Sequence, residues 1–201
     1  KPYFKQKLRL RSYTIPGGPN DRVFVELKKK IGGVVAKRRA AMPLAEAYAW
    51  LAYGQQPVKA DYLQNQVIEE IAFFLNCYQL EPKVSISYAR IAFFGKEDKE
   101  FRVTFDCHIQ TRRHNLRLEQ GALGRNLLAD QQYLMEIKIP GAIPFWLCQT
   151  LSELKLYSTG FSKYGREYQN YCQERPVKFW SLSSLPIVSR LATLQPKYGV
   201  N

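Results

Sequence analysis

The chain has 201 residues, 46% of them hydrophobic and 13% aromatic, a composition typical of a globular protein that buries a substantial core. No apolar run approaches the roughly 20 residues needed to span a bilayer, so no transmembrane helix is expected. Lysine and arginine number 30 against 17 aspartate and glutamate, and the net charge of +13 favours a polyanionic partner. Composition alone leaves nucleic acid, anionic lipid and phosphate chains open.

Strand and helix patterns follow one another in blocks along the chain. Period-two alternation predicts strands at 4–13, 23–30, 34–40, 84–94, 101–110 and 133–139. Helical periodicity predicts one helix from Pro43 and others at 63–78, 144–156 and 162–173, the second carrying Glu69 and Glu70 outward. A Pro-Gly-rich loop at 16–21, a Gly32-Gly33 turn and a charged loop at 95–100 predict antiparallel connections, whereas 112–130 is interpreted as an irregular loop.

The strands carry their basic side chains on one face. Because side chains alternate along a strand, Arg9 and Arg11 share one face while Leu8 and Leu10 share the other. The same pattern recurs at 34–39, 88–90 and 102–106. For any single strand, a solvent-facing outer surface is the better interpretation, but recurrence of the pattern in several strands favours a polar interior. Burying so many like charges is costly, which predicts a bound polyanion.

Two Glu-x-Lys dyads lie on such faces, Glu26 with Lys28 and Glu136 with Lys138. With Asp106, these glutamates are the acidic residues of the predicted strands. Arginine grips phosphate with two parallel hydrogen bonds, and lysine acts as a point charge. Carboxylate oxygens are the ligands that Mg²⁺ and Mn²⁺ prefer, so Glu136 and Glu26 are candidate ligands of a cation that bridges phosphate oxygens.

The cysteines and histidines predict no metal site or catalytic set. Cys77, Cys107, Cys148 and Cys172 stand far apart without a C-x-x-C pair, and the two histidines are too few and poorly spaced for zinc. We interpret the cysteines as reduced thiols of a cytosolic protein. His108 is expected to be structural.

The order of the motifs resembles that of one known family, the VTC domain. This family is the polyphosphate polymerase branch of the triphosphate tunnel metalloenzymes, related to CYTH domains. The resemblance covers roughly residues 5–168, and the ordered set is specific although each dyad alone is weak. The matching motifs are Arg9-x-Arg11 followed by Tyr13, Val-Glu-Leu-Lys at 25–28, Lys37-x-Arg39, Tyr88-x-Arg90, Arg102 to Asp106, Met-Glu-Ile-Lys at 135–138 and Phe-Ser-Lys-Tyr at 161–164.

The resemblance implies an α+β fold, an antiparallel β-barrel that encloses a basic tunnel, with peripheral helices. Residues 1–175 would form this tunnel domain and 176–201 a Ser- and Pro-containing tail. By matching position, the resemblance assigns three groups of site residues. The phosphate-gripping catalytic residues are Arg9, Arg11, Lys28, Lys37, Arg90, Arg102 and Lys163; the further substrate-binding residues are Tyr88, Ser162, Arg39 and Lys138; the metal-binding residues are Glu136 and Glu26.

The implied activity is transfer of the γ-phosphoryl group of ATP to a growing inorganic polyphosphate chain, with release of ADP and a divalent cation, Mn²⁺ or Mg²⁺, as cofactor. The expected location is cytoplasmic, and a membrane-protein partner that would hold the chain at the cytoplasmic face stays open. A tunnel triphosphatase, which would attack with water, and a non-enzymatic polyphosphate or inositol-phosphate binding module are the alternatives. No nucleic acid is expected, because the basic residues alternate with apolar ones on strands.

The sequence departs from the pattern of the VTC domain family at its start. VTC domains have strands upstream of the Arg-x-Arg motif, one of which supplies a further phosphate-binding lysine, and this sequence begins at Lys1. We therefore expect the barrel to lack its N-terminal strands here. A protein that has them is expected to be active, and one truly without them is not.

Overall fold

The computed structural model describes residues 3–59 and 61–174, which form antiparallel strands and α-helices in nearly the predicted order. The region 112–130, predicted to be irregular, also contains a short 3-10 helix, Leu118–Gln120, and a two-residue strand. The predicted tail, 176–201, lies outside the described residues. The strands are β1 (Phe4–Arg11), β2 (Arg22–Ile31), β3 (Val34–Pro43), β4 (Ser85–Phe94), β5 (Arg102–Arg112), β6 (Arg125–Asn126) and β7 (Leu134–Lys138), and the helices are α1 (Leu44–Tyr53), α2 (Tyr62–Cys77), α3 (Phe145–Glu153) and α4 (Lys163–Glu174).

The chain divides into two compact units, Lys1–Thr159 and Gly160–Asn201. The first unit holds all of the described strands and helices α1 to α3. Helix α4 belongs to the second unit, of which residues 160–174 are described. The boundary expected from the sequence, at 175/176, stays a prediction.

The first sheet consists of β1, β2 and β3 in that order, and helices α1 and α2 cover one of its faces. Alternate residues of β2 point into the core, because the strand period is two. Burial of each large apolar side chain contributes about 1.5–3 kcal/mol. The core residues are Val23, Val25 and Leu27 of β2, Ala40 and Met42 of β3, Leu44, Ala47 and Trp50 of α1, and Ile68, Ile71 and Phe74 of α2.

Local signals explain where the covering helices begin and end. Pro43 precedes the first residue of α1, and Gly54 ends that helix in the left-handed conformation at φ 73°. The Asp61 carboxylate accepts a hydrogen bond from the Leu63 amide at 2.9 Å and so caps α2. Glu70, expected to point outward, instead binds Lys29 of β2 at 2.6 Å and Arg38 of β3 at 3.0 Å, and thereby links α2 to both strands.

The second sheet consists of β4, β5 and β6, with β7 also paired to β5. The β4–β5 register shifts between Ser87 and Ala89, so that Tyr88 lies opposite two residues of β5, His108 and Ile109. His108 has φ of 48°, the left-handed conformation expected at such a β-bulge. The structural role expected for His108 agrees with this position.

Arg112 links the second sheet to the helices of the first. Its guanidinium donates hydrogen bonds of 2.6–2.9 Å to carbonyl oxygens in the loop that follows β5. The hydroxyl of Tyr48, on α1, accepts from the Leu118 amide at 3.0 Å and donates to the Glu119 carboxylate at 2.7 Å in the same loop. Both sheets are thus anchored to α1. The carbonyl acceptors belong to Asn115, Arg117, Gly121 and Leu123.

The predicted α+β class with antiparallel sheets is confirmed. Ladder hydrogen bonds among the described strands define two sheets, and closure into one barrel stays a prediction, as does the absence of N-terminal strands. The four cysteines are free. Over residues 3–59 and 61–174, none of the helices combines the length and the hydropathy needed to cross a membrane.

Substitutions at His108 test whether the β-bulge requires a left-handed backbone conformation at this residue. We expect His108→Val to lower the free energy of unfolding by about 1–2 kcal/mol, because a β-branched residue is strained at positive φ. His108→Gly, which relieves that strain, is expected to stay within about 1 kcal/mol of the wild type. Urea denaturation followed by circular dichroism measures both. His114→Val in the exposed loop is the control, and equal losses in the two valine variants would contradict a special backbone at residue 108.

Candidate functional site

The face of the first sheet that the helices do not cover is strongly cationic. Cross-strand partners share a face, and the register aligns Lys7 with Lys28 and Lys37 in one row and Arg9 with Glu26 and Arg39 in the next. We call this surface the first cationic face. Its basic residues are Lys5, Lys7, Arg9, Arg11, Arg22, Lys28, Lys30, Lys37 and Arg39.

Glu26 is the buried centre of the first cationic face. Its side chain is 0% exposed, and Arg9 Nη2 donates a hydrogen bond to Oε2 at 2.8 Å. The other oxygen, Oε1, lies 3.2 Å from Lys37 Nζ and 3.6 Å from Arg39 Nε. Burial alone would raise the pKa of Glu26, but the contact with Lys37 and the charges of Arg9 and Arg11 outweigh it and hold that pKa below its ordinary value. One carboxylate therefore joins cations from β1 and β3.

Two aromatic rings orient the arginines at one end of this face. The Arg39 guanidinium lies 3.7 Å from the ring centroid of Phe24, and its Nη2 donates a hydrogen bond to the Tyr13 hydroxyl at 3.0 Å. The Arg11 guanidinium lies 4.6 Å from the Tyr13 ring centroid. Sequence reasoning did not single out Phe24, although strand alternation places it on the same face as Glu26.

Like charges crowd around Lys7. Burial, followed by the charges of Lys5, Arg9 and Lys28, lowers the pKa of Lys7 below its ordinary value. A bound anion would offset this repulsion. The first cationic face thus has the electrostatics of a polyanion site.

A second cationic face lies on the second sheet. The register places Phe94, Arg102 and Lys138 in one row across β4, β5 and β7. The following rows are Ala92, Thr104 and Glu136, and then Arg90, Asp106 and Leu134. We call this surface the second cationic face.

A buried carboxylate also fixes the central arginine of the second face. Asp106, 1% exposed, accepts two hydrogen bonds from Arg90, at 2.6 Å from Nε and 2.7 Å from Nη2. Hydrogen bonding to Asp106 raises the pKa of Arg90 above its ordinary value. The Arg90 guanidinium also lies 5.2 Å from the Tyr88 ring centroid. Asp106 was not among the predicted site residues, because its pairing with Arg90 depends on the β4–β5 register.

Glu136 differs from both buried carboxylates. Its side chain is 47% exposed, and its oxygens lie 3.8 Å from Arg90 Nη2 and 3.5 Å from Lys138 Nζ, beyond ordinary hydrogen-bond lengths. Accessible carboxylate oxygens beside a cationic surface fit a divalent cation whose other ligands are phosphate and water. In the described part of the chain, no group of three or more His, Cys, Asp or Glu side chains is placed to hold a metal. The ion pairs of Glu26 favour an anchoring role, and its metal role stays a prediction.

Ser162 and Lys163 lie in the second unit. The Ser162 hydroxyl accepts a hydrogen bond from the Gly165 amide at 3.2 Å, and α4 begins at Lys163. Their roles at phosphate stay predictions.

The structure therefore gathers most of the predicted site residues on two faces of one compact unit, Lys1–Thr159. Glu26 lies buried within the first face. The first face carries Arg9, Arg11, Lys28, Lys37 and Arg39, and the second carries Tyr88, Arg90, Arg102, Glu136 and Lys138.

Comparison with known proteins gives one family. The sequence model described as VTC domain matches residues 1–171. No curated protein matches the chain. The match includes every strand of both cationic faces.

The lowered pKa of Glu26 predicts a specific acid dependence of stability. A carboxylate whose pKa is lower in the folded protein stabilises it above the ordinary value of 4.5, and the stabilisation is lost as pH falls through the folded pKa. We expect Glu26→Gln to remove this part of the acid dependence. Urea denaturation between about pH 3 and pH 7 measures it.

Glu81→Gln is the matched control for this experiment. Glu81 also pairs with a lysine, Lys83, at 2.6 Å, but its side chain is exposed. The contact with Lys83 lowers the pKa of Glu81 as well, but solvent screens this exposed pair, so we expect Glu81→Gln to change the acid dependence much less than Glu26→Gln. Parallel curves for wild type and Glu26→Gln would contradict the anchoring role of Glu26.

Proposed function

The chain belongs to the VTC domain family, and on that premise we propose that it is a polyphosphate polymerase that transfers the γ-phosphoryl group of ATP to a growing inorganic polyphosphate chain and releases ADP. Family membership by itself indicates a polyphosphate-related function. The proposal of polymerase activity is supported by the pairing of a buried carboxylate with an arginine on each cationic face, Glu26 with Arg9 and Asp106 with Arg90.

Preorganised cations suit this chemistry. Phosphoryl transfer passes through a loose transition state that spreads charge over the equatorial oxygens, so catalysis consists mainly of positioning and electrostatic stabilisation. Arginines already held by buried carboxylates need little reorganisation when that charge develops. The attacking terminal phosphate is ionised and requires no strong general base.

The proposed roles follow the geometry of the two faces. The first face would hold phosphates of the polymer or of the nucleotide through its lysines and arginines, with Glu26 keeping three of these cations in place. On the second face, Arg90 and Arg102 would bind phosphate oxygens, with Tyr88 against Arg90 and Lys138 beside Glu136. Lys163 and Ser162 keep their proposed phosphate-binding role on the strength of their motif.

Glu136 is the proposed ligand of Mg²⁺ or Mn²⁺. When bound there, the cation would neutralise part of the charge on the phosphate oxygens. The accessible carboxylate supports this assignment, while Arg90 and Lys138 on either side would orient the same oxygens. The proposed location is cytoplasmic, and a membrane-protein partner stays open.

The deciding experiment incubates the complete protein with ATP and Mn²⁺ or Mg²⁺. We expect long-chain polyphosphate on a gel, together with ADP in proportion to the phosphate transferred. Release of inorganic phosphate without chain growth would replace the proposal with a triphosphatase. Tight polyphosphate binding without ATP turnover would replace it with a binding module.

Removing two cations from the first face should abolish synthesis. We expect Arg9→Ala with Arg11→Ala to lower the rate of polymer formation by at least about 100-fold, because charge-stabilising groups contribute about that much each. The rate of ADP release measures the effect.

A second double variant, Lys29→Ala with Arg38→Ala, is the matched control. It removes two positive charges from the same sheet, on the side where both contact Glu70 of α2. We expect it to keep most of the activity. Near wild-type synthesis by the Arg9 and Arg11 double variant would exclude a phosphate site on the first cationic face.

Glu136→Gln should change the response to metal. The amide keeps the shape of the side chain but loses the charge that a divalent cation prefers, so we expect half-maximal activity to need about tenfold more Mg²⁺ or Mn²⁺. Titration of the rate with each metal measures this. Glu153→Gln, exposed on α3, is the control, and an unchanged titration for Glu136→Gln would remove Glu136 as a ligand.

A further inference from the structure

A cavity of about 310 Å³ opens at the end of the second cationic face. Its volume lies at the lower end of the range of small-molecule sites, about 300–1,000 Å³. Lys99, Arg102 and Lys138 line it with positive charge, and Glu100 is its acidic residue. Its remaining lining is apolar, from Phe94, Ile139 and Pro140.

The cavity is built by strand register and by a tight hairpin loop. Phe94, Arg102 and Lys138 are neighbours across three strands, and the Arg102 guanidinium lies 5.8 Å from the Phe94 ring centroid. The loop between β4 and β5 closes with hydrogen bonds from the Gly95 amide to the Phe101 carbonyl and from the Phe101 amide to the Asp98 carbonyl. A side chain at residue 95 would collide with the Asp98 carbonyl, so the loop requires glycine there.

The lining combines cationic and apolar side chains, and an inorganic phosphate chain can interact favourably only with the cationic ones. Phosphate would bind Arg102 and Lys138, but it has no apolar part to contact an aromatic ring. A nucleotide uses both, because the flat base stacks on an aromatic face while its phosphates meet the cations. We propose that this cavity holds the base and sugar of the nucleotide, with the base against Phe94. This inference rests on the proposed use of ATP.

The placement also gives the nucleotide a direction. Glu136 lies two residues before Lys138 on β7, which is about 7 Å along the strand. The row after that of Glu136 contains Arg90, which is hydrogen-bonded to Asp106. A nucleotide with its base in the cavity therefore sends its phosphates past Arg102 and Lys138 towards Glu136 and Arg90, where the transferred group is needed.

The test compares two ligands that share a triphosphate and differ in the nucleoside. One is ATP in which NH replaces the β–γ bridging oxygen, and the other is inorganic tripolyphosphate. Calorimetry with Mg²⁺ measures the binding of each to the complete protein. We expect Phe94→Leu to weaken binding of the nucleotide about tenfold, the usual effect of losing one stacked base, and to leave binding of tripolyphosphate within about twofold.

The adjacent residue supplies the control. Phe93 is 57% exposed and Phe94 55%, but alternation places Phe93 on the opposite face of the sheet, where its ring contacts Phe105. We expect Phe93→Leu to change the binding of neither ligand. A second variant, Phe94→Trp, keeps an aromatic face and should retain nucleotide affinity, which separates lost stacking from a damaged fold.

The outcomes distinguish this inference from the proposed function. Equal losses for both ligands in Phe94→Leu, or no loss for either, would overturn the base site even if the wild type makes polyphosphate. A selective loss of nucleotide binding would support it even if the wild type makes no polymer, in which case the proposed polymerase activity would fail instead.

Discussion

The cationic faces of this protein depend on a few buried carboxylates. Placing many lysines and arginines on one side of a small sheet is unfavourable, because like charges at neighbouring strand positions repel. Glu26 counters this in the first sheet by contacting Arg9, Lys37 and Arg39 from two flanking strands. Because its side chain is fully buried, these contacts are poorly screened by solvent. The same interaction joins the three strands and sets the directions of their cations.

In the second sheet a buried carboxylate also holds a cation, but with a different geometry. Asp106 holds Arg90 by two parallel hydrogen bonds, whereas Glu26 distributes its oxygens among three cations. Glu136, half-exposed in the row next to that of Arg102 and Lys138, makes no such close pair with Arg90 or Lys138. Three strand carboxylates thus divide into two buried anchors and one accessible carboxylate. Burial and register, rather than residue type, produce this division of roles.

Helix α1 connects this electrostatic arrangement to the hydrophobic core. Its buried residues, with Trp50 among them, pack on the helix-covered side of the first sheet. Its Tyr48 hydroxyl binds the loop that Arg112 organises beyond the second sheet. Apolar packing on the helix-covered side of the first sheet therefore holds in place the strands that carry the basic side chains on the other side.

The sequence by itself determined the α-helices, every strand except the two-residue β6, the α+β class and which side of the strands is basic, because hydrophobic periodicity is a local property. The ordered motifs also indicated the family and supplied the candidate site residues. Only the tertiary structure decided which charges meet: that Glu26 is buried among three cations, that Asp106 grips Arg90, and that Phe94 joins Arg102 and Lys138 around a cavity. Those contacts depend on cross-strand register and on a bulge at His108, which bring together residues that are distant in the chain.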